Sequence, residues 1–361
     1  MNFSWYRDLY KIGSPTGIRA VTIRMVLAVG VPLIGGVLLG HPAAAVAGGS
    51  TALFVTLSDI GTTARVRLGT MFAGWLAIVL GGMLGHLLGG TPGANETVVL
   101  ISALVAGWAS GAHPGIAAVT RFFAVATAAG TGMHFTDPEV LLSLLVGGAS
   151  AVAAALGAWK WSGIAADTNE MDWRSGVRRA FAGADAGVRY TLCYGAAAAA
   201  ALFAASWLRI SDPFWATLCV LMVMRREGTV SLELTIHYAV GTILGVIVAA
   251  GILYWIENPL TLAVFATVVA ASARVGLSIN PALGFMAFTM YLLFVVHVIE
   301  VSAGVMPHLL GARIYDVLVG CALALAATLA ATYRGARRSE QAARCQFPLP
   351  RTASNQRKPP I

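Results

Sequence analysis

GIRAVTIRMVLAVGVPLIGGVLL, residues 17–39, comes back as GVRYTLCYGAAAAAALFAASWL, residues 187–208, 170 positions further along (187 minus 17). Both stretches open on glycine, an aliphatic residue and arginine, Gly17-Ile18-Arg19 and Gly187-Val188-Arg189. Both then stay apolar for about the ~20 residues that cross the hydrocarbon of a bilayer. Later landmarks repeat in the same order: Pro42 returns as Pro213, Gly69-Thr70 as Gly241-Thr242, Pro114 as Pro281 and Gly147 as Gly320. The halves share an order of elements as well as a composition, so the sequence reads as a duplicated membrane unit. Such repeats recur in transporters, where the pathway lies between the copies.

Composition agrees. The 361 residues are 58% hydrophobic and 11% charged, with mean hydropathy +0.76, whereas a soluble domain carries about 25% charge. Cys193, Cys219 and Cys321 sit in apolar runs and Cys345 in a basic tail, without metal-binding or disulfide spacing. Met25 to Gly40 followed by Ala43-Ala44-Ala45 imitates a signal peptide. The long polar lead-in, the interruption at Arg24 and the equivalent helix in the second copy favour a retained first helix.

The apolar runs predict an all-α polytopic membrane protein of about twelve transmembrane helices, as two parallel six-helix repeats. The first copy, 19–161, supplies Arg19–Leu39, Pro42–Ser58, Val66–Leu88, Val98–Ser110, Gly115–Met133 and Val140–Trp159. The second, 187–333, supplies Val188–Leu208, Pro213–Met224, Leu234–Ile256, Leu260–Ala273, Pro281–Val298 and Leu309–Tyr333. Val98–Ser110 and Pro213–Met224 are short for a crossing. An interfacial aromatic and basic segment (1–18), a linker (162–186) and a basic, disordered tail (334–361) complete the chain.

Charge placement sets the orientation, because Lys and Arg concentrate in cytoplasmic loops. With a cytoplasmic N-terminus, the inner loops hold Arg7, Lys11, Arg65, Arg67, Lys160, Arg174, Arg178, Arg179, Arg225, Arg226, Arg274 and the tail from Arg334 to Lys358. The outer loops hold Glu96, Asp137, Glu139, Asp212, Glu257 and Glu300, against one clear cation, Arg209. The net charge of +8 is thereby explained by topology and by attraction to anionic lipid, with no call for nucleic acid. Both termini are expected in the cytoplasm.

Asp59-Ile60-Gly61-Thr62 leads through Arg65 and Arg67 to Gly69-Thr70. Arg225-Arg226-Glu227-Gly228-Thr229 leads likewise to Gly241-Thr242 and Gly245. With Phe214-Trp215-Ala216 and Arg313-Ile314-Tyr315-Asp316-Val317-Leu318-Val319-Gly320, this order resembles the fusaric acid resistance and aromatic acid exporter family of bacterial inner-membrane proteins, over about Gly17 to Tyr333. The resemblance implies export of organic acids, often aromatic carboxylates, driven by the proton gradient. Two departures stand out. Only Ser162 to Ala186 joins the copies where many members carry a large cytoplasmic domain, and His237 replaces the arginine usual before the second Gly-Thr.

Ionisable groups within a bilayer are expensive and need a reason. Arg121, seven residues past Pro114, lies about 10 Å into its helix. There a guanidinium would hold a carboxylate by two parallel hydrogen bonds; the plain alternative is snorkelling to the inner face. Arg121, Phe122, Trp215 and Arg313 form the expected substrate-binding set. Asp316, one turn from Arg313, and His297 with Glu300 are the expected proton-coupling groups, or else structural pairs. Asp59, Arg65, Arg67, Arg225, Arg226, Gly69 and Gly241 are assigned to gating or to structure at the inner face, with Asp59 and Arg65 expected to pair. Gly81-Gly82, Gly147-Gly148 and the alanine runs read as helix-packing surface.

No Walker-type phosphate loop, metalloprotease motif or nucleophile elbow occurs, so neither an enzyme nor a cofactor is expected. The leading expectation is a secondary exporter of small organic anions. An anion channel and a membrane scaffold in envelope assembly remain open, as does homo-oligomerisation.

Overall fold

A computed structural model describes residues 18–61, 63–91, 93–133, 135, 137–162, 174–175, 178, 187–210, 212–304 and 309–346. Of these, 161–162, 229, 309–313 and 333–346 are described in backbone only. Nearly all of the expected interfacial segment, most of the linker and the tail from 347 onward lie outside the described residues.

Twelve helices occupy the described residues. They are α1 (Ile18–Leu38), α2 (Pro42–Leu57), α3 (Ala64–Leu88), α4 (Ala94–Ala109), α5 (Pro114–Gly130), α6 (Pro138–Ser162), α7 (Val188–Trp207), α8 (Phe214–Val223), α9 (Gly228–Leu253), α10 (Pro259–Ile279), α11 (Pro281–Ala303) and α12 (Leu309–Gln346). α12 continues well into the stretch read as a tail, where the Ala, Arg, Glu and Gln content favours helix.

The helix starts follow from local chemistry. Proline, whose missing N–H costs nothing at a first turn, opens α2, α5, α10 and α11. Thr63, His113, Asn258 and Asn280 accept backbone N–H groups as caps of α3, α5, α10 and α11. Pro32 inside α1 cannot donate to the Ala28 carbonyl, and in lipid an orphaned carbonyl is costly. The Ser150 hydroxyl of α6 supplies the missing donor at 2.7 Å.

Eight helices, α1, α3, α6, α7 and α9–α12, are long and apolar enough to cross a membrane, and the chain is a multi-pass helical membrane protein. The other four are shorter; α8, with ten residues, reaches only about 15 Å of a ~30 Å hydrocarbon core. The short helices α2, α5 and α8 are shielded by longer neighbours, and with α11 they form the middle of the bundle. Some 72% of the α11 span is buried, against 28–50% in the other seven. Phe54 of α2 marks the centre, its ring 5.3 Å from Phe122 of α5 and 6.2 Å from Phe288 of α11.

Packing among the helices is reciprocal. α1, α2 and α6 form one mutually packed triplet and α7, α8 and α12 another. α5 packs on α3 and α4 as α11 packs on α9 and α10. Between these groups α1 meets α10 and α4 meets α7, while α2 meets α11 and α5 meets α8. Close approach depends on glycine: a Cβ on Gly85 of α3 would lie 2.1 Å from the Thr127 carbonyl of α5, and one on Gly147 of α6 would lie 2.2 Å from the Gly48 carbonyl of α2.

Candidate functional site

Polar groups gather at two clusters near the end of the bundle where α1 begins, here the proximal end. In the first, Asp59 follows the last turn of α2 with its side chain 1% exposed. It accepts from Arg24 of α1, and from Arg67 of α3 at 2.6 Å (Nε to Oδ1) and 2.7 Å (Nη2 to Oδ2). Arg24 also donates to the Thr56 carbonyl at 3.3 Å, closing the α2 terminus, and Arg67 lies 5.1 Å over the Trp159 ring. Burial alone would raise the Asp59 carboxyl, but the Arg67 hydrogen bond and the charges of Arg24 and Arg67 outweigh it and hold it below the usual carboxylate range. Arg274 of α10 lies in the same field. The expected pairing of Asp59 with Arg65 is therefore corrected: Arg65 is exposed, because it and Arg67 are two residues apart and cannot face the same side of α3.

The second cluster holds cations without a carboxylate. α8 ends at Val223, and buried Met224 continues in extended backbone, leaving terminal carbonyls that need donors. Tyr194 of α7 donates to the Leu221 carbonyl at 2.9 Å and Tyr190 to that of Met224 at 3.4 Å. The two rings stack with centroids 5.6 Å apart. Arg225 donates to the Met224 carbonyl at 2.9 Å. Arg121 of α5 lies beside the Tyr194 hydroxyl and within the field of Arg225, so it turns toward α7 and α8. Burial, and then the neighbouring Arg121 charge, push the Arg225 guanidinium down to about 10, still cationic at neutral pH. Among the described residues no carboxylate forms an ion pair with either arginine.

The other expected substrate residues are not brought to Arg121. Phe122, buried, points to Phe54. Trp215 lies at the start of α8, its ring tilted against that of Phe214 with centroids 4.3 Å apart, toward the opposite, distal end. The side chain of Arg313 lies outside the described residues. Asp316 is 1% exposed on α12, and His297 and Glu300 pair at 3.3 Å on α11 toward the distal end. Arg226 and Gly69 are exposed, and nothing approaches within 4 Å of a Cβ at Gly69; a Cβ at Gly241 would meet the Ala282 carbonyl of α11 at 2.4 Å. The two Gly-Thr pairs are thus alike in sequence and unlike in packing. A cavity of about 300 Å³, lined by Val31, Pro32, Gly36, Ala45 and Leu142, opens between α1, α2 and α6 near the distal His41–Glu139 pair.

Arg24, Arg274, Tyr190 and Tyr194 join the clusters without having stood out as site residues in the sequence. A signal for two of them was present: Arg24 and Tyr194 are separated by the repeat offset of 170 (194 minus 24), and both close the end of a short helix.

Residues 199–327 match the model of a family described as fusaric acid resistance protein-like. The match runs from within α7 to within α12 and so includes Arg225 but not Arg121. No curated protein and no solved structure matches the chain.

Proposed function

We propose that the protein is a secondary exporter of small organic anions, aromatic carboxylates above all, which enter at Arg121 and Arg225 in the seam between two parallel six-helix copies. The observation that carries this reading is a pair of neighbouring guanidinium groups, one from each half, with no carboxylate paired to them among the described residues. The Asp59 cluster provides the contrast, since its acid already occupies Arg24 and Arg67. A carboxylate arriving between Arg121 and Arg225 would relieve their repulsion and accept from both, and charge-assisted hydrogen bonds are the strong kind. Tyr190 and Tyr194 offer stacked ring faces beside them.

Reciprocal packing of α1 on α10 and α4 on α7, and of α2 on α11 and α5 on α8, supports a two-fold relation between the copies. Excess positive charge in the proximal loops favours a cytoplasmic proximal end, so a site near that end suits loading for export from a bacterial inner membrane. The likeness of residues 199–327 to a family named for resistance to an aromatic acid supports the substrate class, and proton coupling accords with the family that the stretch from Gly17 to Tyr333 resembles.

The test is exchange of a labelled benzoate-type acid in proteoliposomes, comparing wild type with Arg121→Gln and Arg225→Gln. Hydrogen bonds to a charged partner contribute ~1.5–3 kcal/mol each, so each variant should lose about 10- to 100-fold in apparent affinity. Wild-type affinity in both variants would refute the site. Flux that follows voltage and ignores a pH gradient would make the protein a channel.

A further inference from the structure

His237 is the residue at which the sequence departs from its resemblance, and its surroundings are unusual. It is the tenth residue of α9, fully buried, and neither ring nitrogen has a hydrogen-bond partner among the described residues. Buried polar atoms are nearly always satisfied, so an orphaned imidazole calls for an explanation. One turn earlier, Glu233 places Oε1 3.7 Å from Nε2, too far for a hydrogen bond, while its own side chain is 35% exposed. One and two turns later come Gly241 and Gly245, whose added Cβ atoms would strike backbone atoms of Ala282 and Met286 on α11. Residues 233, 237, 241 and 245 share one face of α9, so the ring stands where α9 and α11 pack without slack.

We infer that His237 and Glu233 form the proton-carrying pair of the transporter, with Glu233 as the exposed entry and His237 as the buried acceptor. The inference rests on the transport reading above. The proton arrives on the Glu233 carboxylate and passes from Oε1 to Nε2, leaving an imidazolium paired with a carboxylate. That ion pair is stable only if the 3.7 Å gap closes to ~2.8 Å, which draws Glu233 inward and shifts the tight α9–α11 contact. α11 carries Phe288 and Tyr291, which touch Phe54 and Ser50 of α2 in the seam, so the shift reaches the proposed pathway.

Other titratable groups on elements packed against α9 are Cys219 on α8, Tyr291, His297 and Glu300 on α11, and Tyr315, Asp316 and Cys321 on α12. Among the described residues, the one charged group acting on His237 is Glu233. His297 differs in that it is already hydrogen-bonded to Glu300.

Two measurements on the full chain in lipid test the pair. Infrared difference spectra on acidification need no substrate: wild type should show imidazolium bands together with a shifted carboxylate band that stays ionised, a combination that both His237→Gln and Glu233→Gln lack. In proteoliposomes, His237→Gln should keep exchange of labelled benzoate at equal pH yet lose at least tenfold in accumulation under a pH gradient. Glu233→Gln, at a part-exposed position that tolerates change, should slow that accumulation as well. Wild-type spectra in both variants, or gradient-driven accumulation by His237→Gln within twofold of wild type, would overturn the inference. If wild type itself exchanges no anion, the transport reading fails while the spectra still decide the pair.

Discussion

Replacing Asp59 by Asn removes one negative charge at a position where the side chain is 1% exposed and keeps nearly the same shape. Three hydrogen bonds from two guanidinium groups end on that carboxylate. In the variant, one oxygen becomes an NH2 donor facing a guanidinium, and Arg24, 9% exposed, has only the Thr56 carbonyl left. Arg67, 27% exposed, keeps a route to water. Breaking a buried ion pair by removing one partner costs ~3–5 kcal/mol, and the partial escape of Arg67 places Asp59→Asn near 3 kcal/mol. The assay is reversible unfolding in bicelles by steric trapping. Replacing both partners, Arg24→Leu with Asp59→Leu, should cost less than Asp59→Asn alone, because no charge is then stranded on that side. A loss below ~1 kcal/mol for Asp59→Asn, or a double variant as unstable as the sum of its singles, would refute the argument that this carboxylate neutralises the cluster.

Acid should act through the same residue. The folded Asp59 carboxyl lies below its unfolded value of 3.8, so its contribution is complete above that pH and is lost as pH falls through the lower folded value; melting curves of wild type should drop there more steeply than those of Asp59→Asn. Gly85→Ala puts a methyl group 2.1 Å from the Thr127 carbonyl, and overpacking of this kind costs ~1–3 kcal/mol; steric trapping should read that loss and find almost none for Gly157→Ala, where nothing lies within 4 Å. Tyr194→Phe removes the donor to the Leu221 carbonyl and should lower stability by ~1–3 kcal/mol in the same assay, since the carbonyl is left buried and unpaired.

The helical order was legible because apolar runs, proline starts and repeated landmarks are local signals; the four short helices were harder to judge, since a short apolar run reads the same beside lipid or beside protein. Asp59, Arg65 and Arg67 could be placed at one end of the bundle because they lie within one turn-and-helix segment, but which arginine meets Asp59 depends on the face of α3 that turns inward, and that is Arg67. Arg24 could not be assigned to them, since its approach to Asp59 spans 35 positions and depends on how α1 leans on α2. Tyr194 was hidden in an alanine-rich run, where nothing local distinguishes a helix-capping hydroxyl from core. Arg121, the first choice of cation in the sequence, is half-buried beside Tyr194, but Trp215, chosen with it, lies toward the other end of the bundle. Linear order says little about depth once helices alternate in direction and α8 covers only part of the thickness.

The claim that organic anions bind between the halves at Arg121 and Arg225 is tested most directly by locating a heavy-atom substrate. A crystal of the protein grown with an iodinated benzoate should give an anomalous peak beside Tyr190 and Tyr194, with the carboxylate between the two guanidinium groups, and Arg225→Gln should abolish it. A peak confined to the apolar cavity between α1, α2 and α6, with the arginine pair empty, would contradict the account.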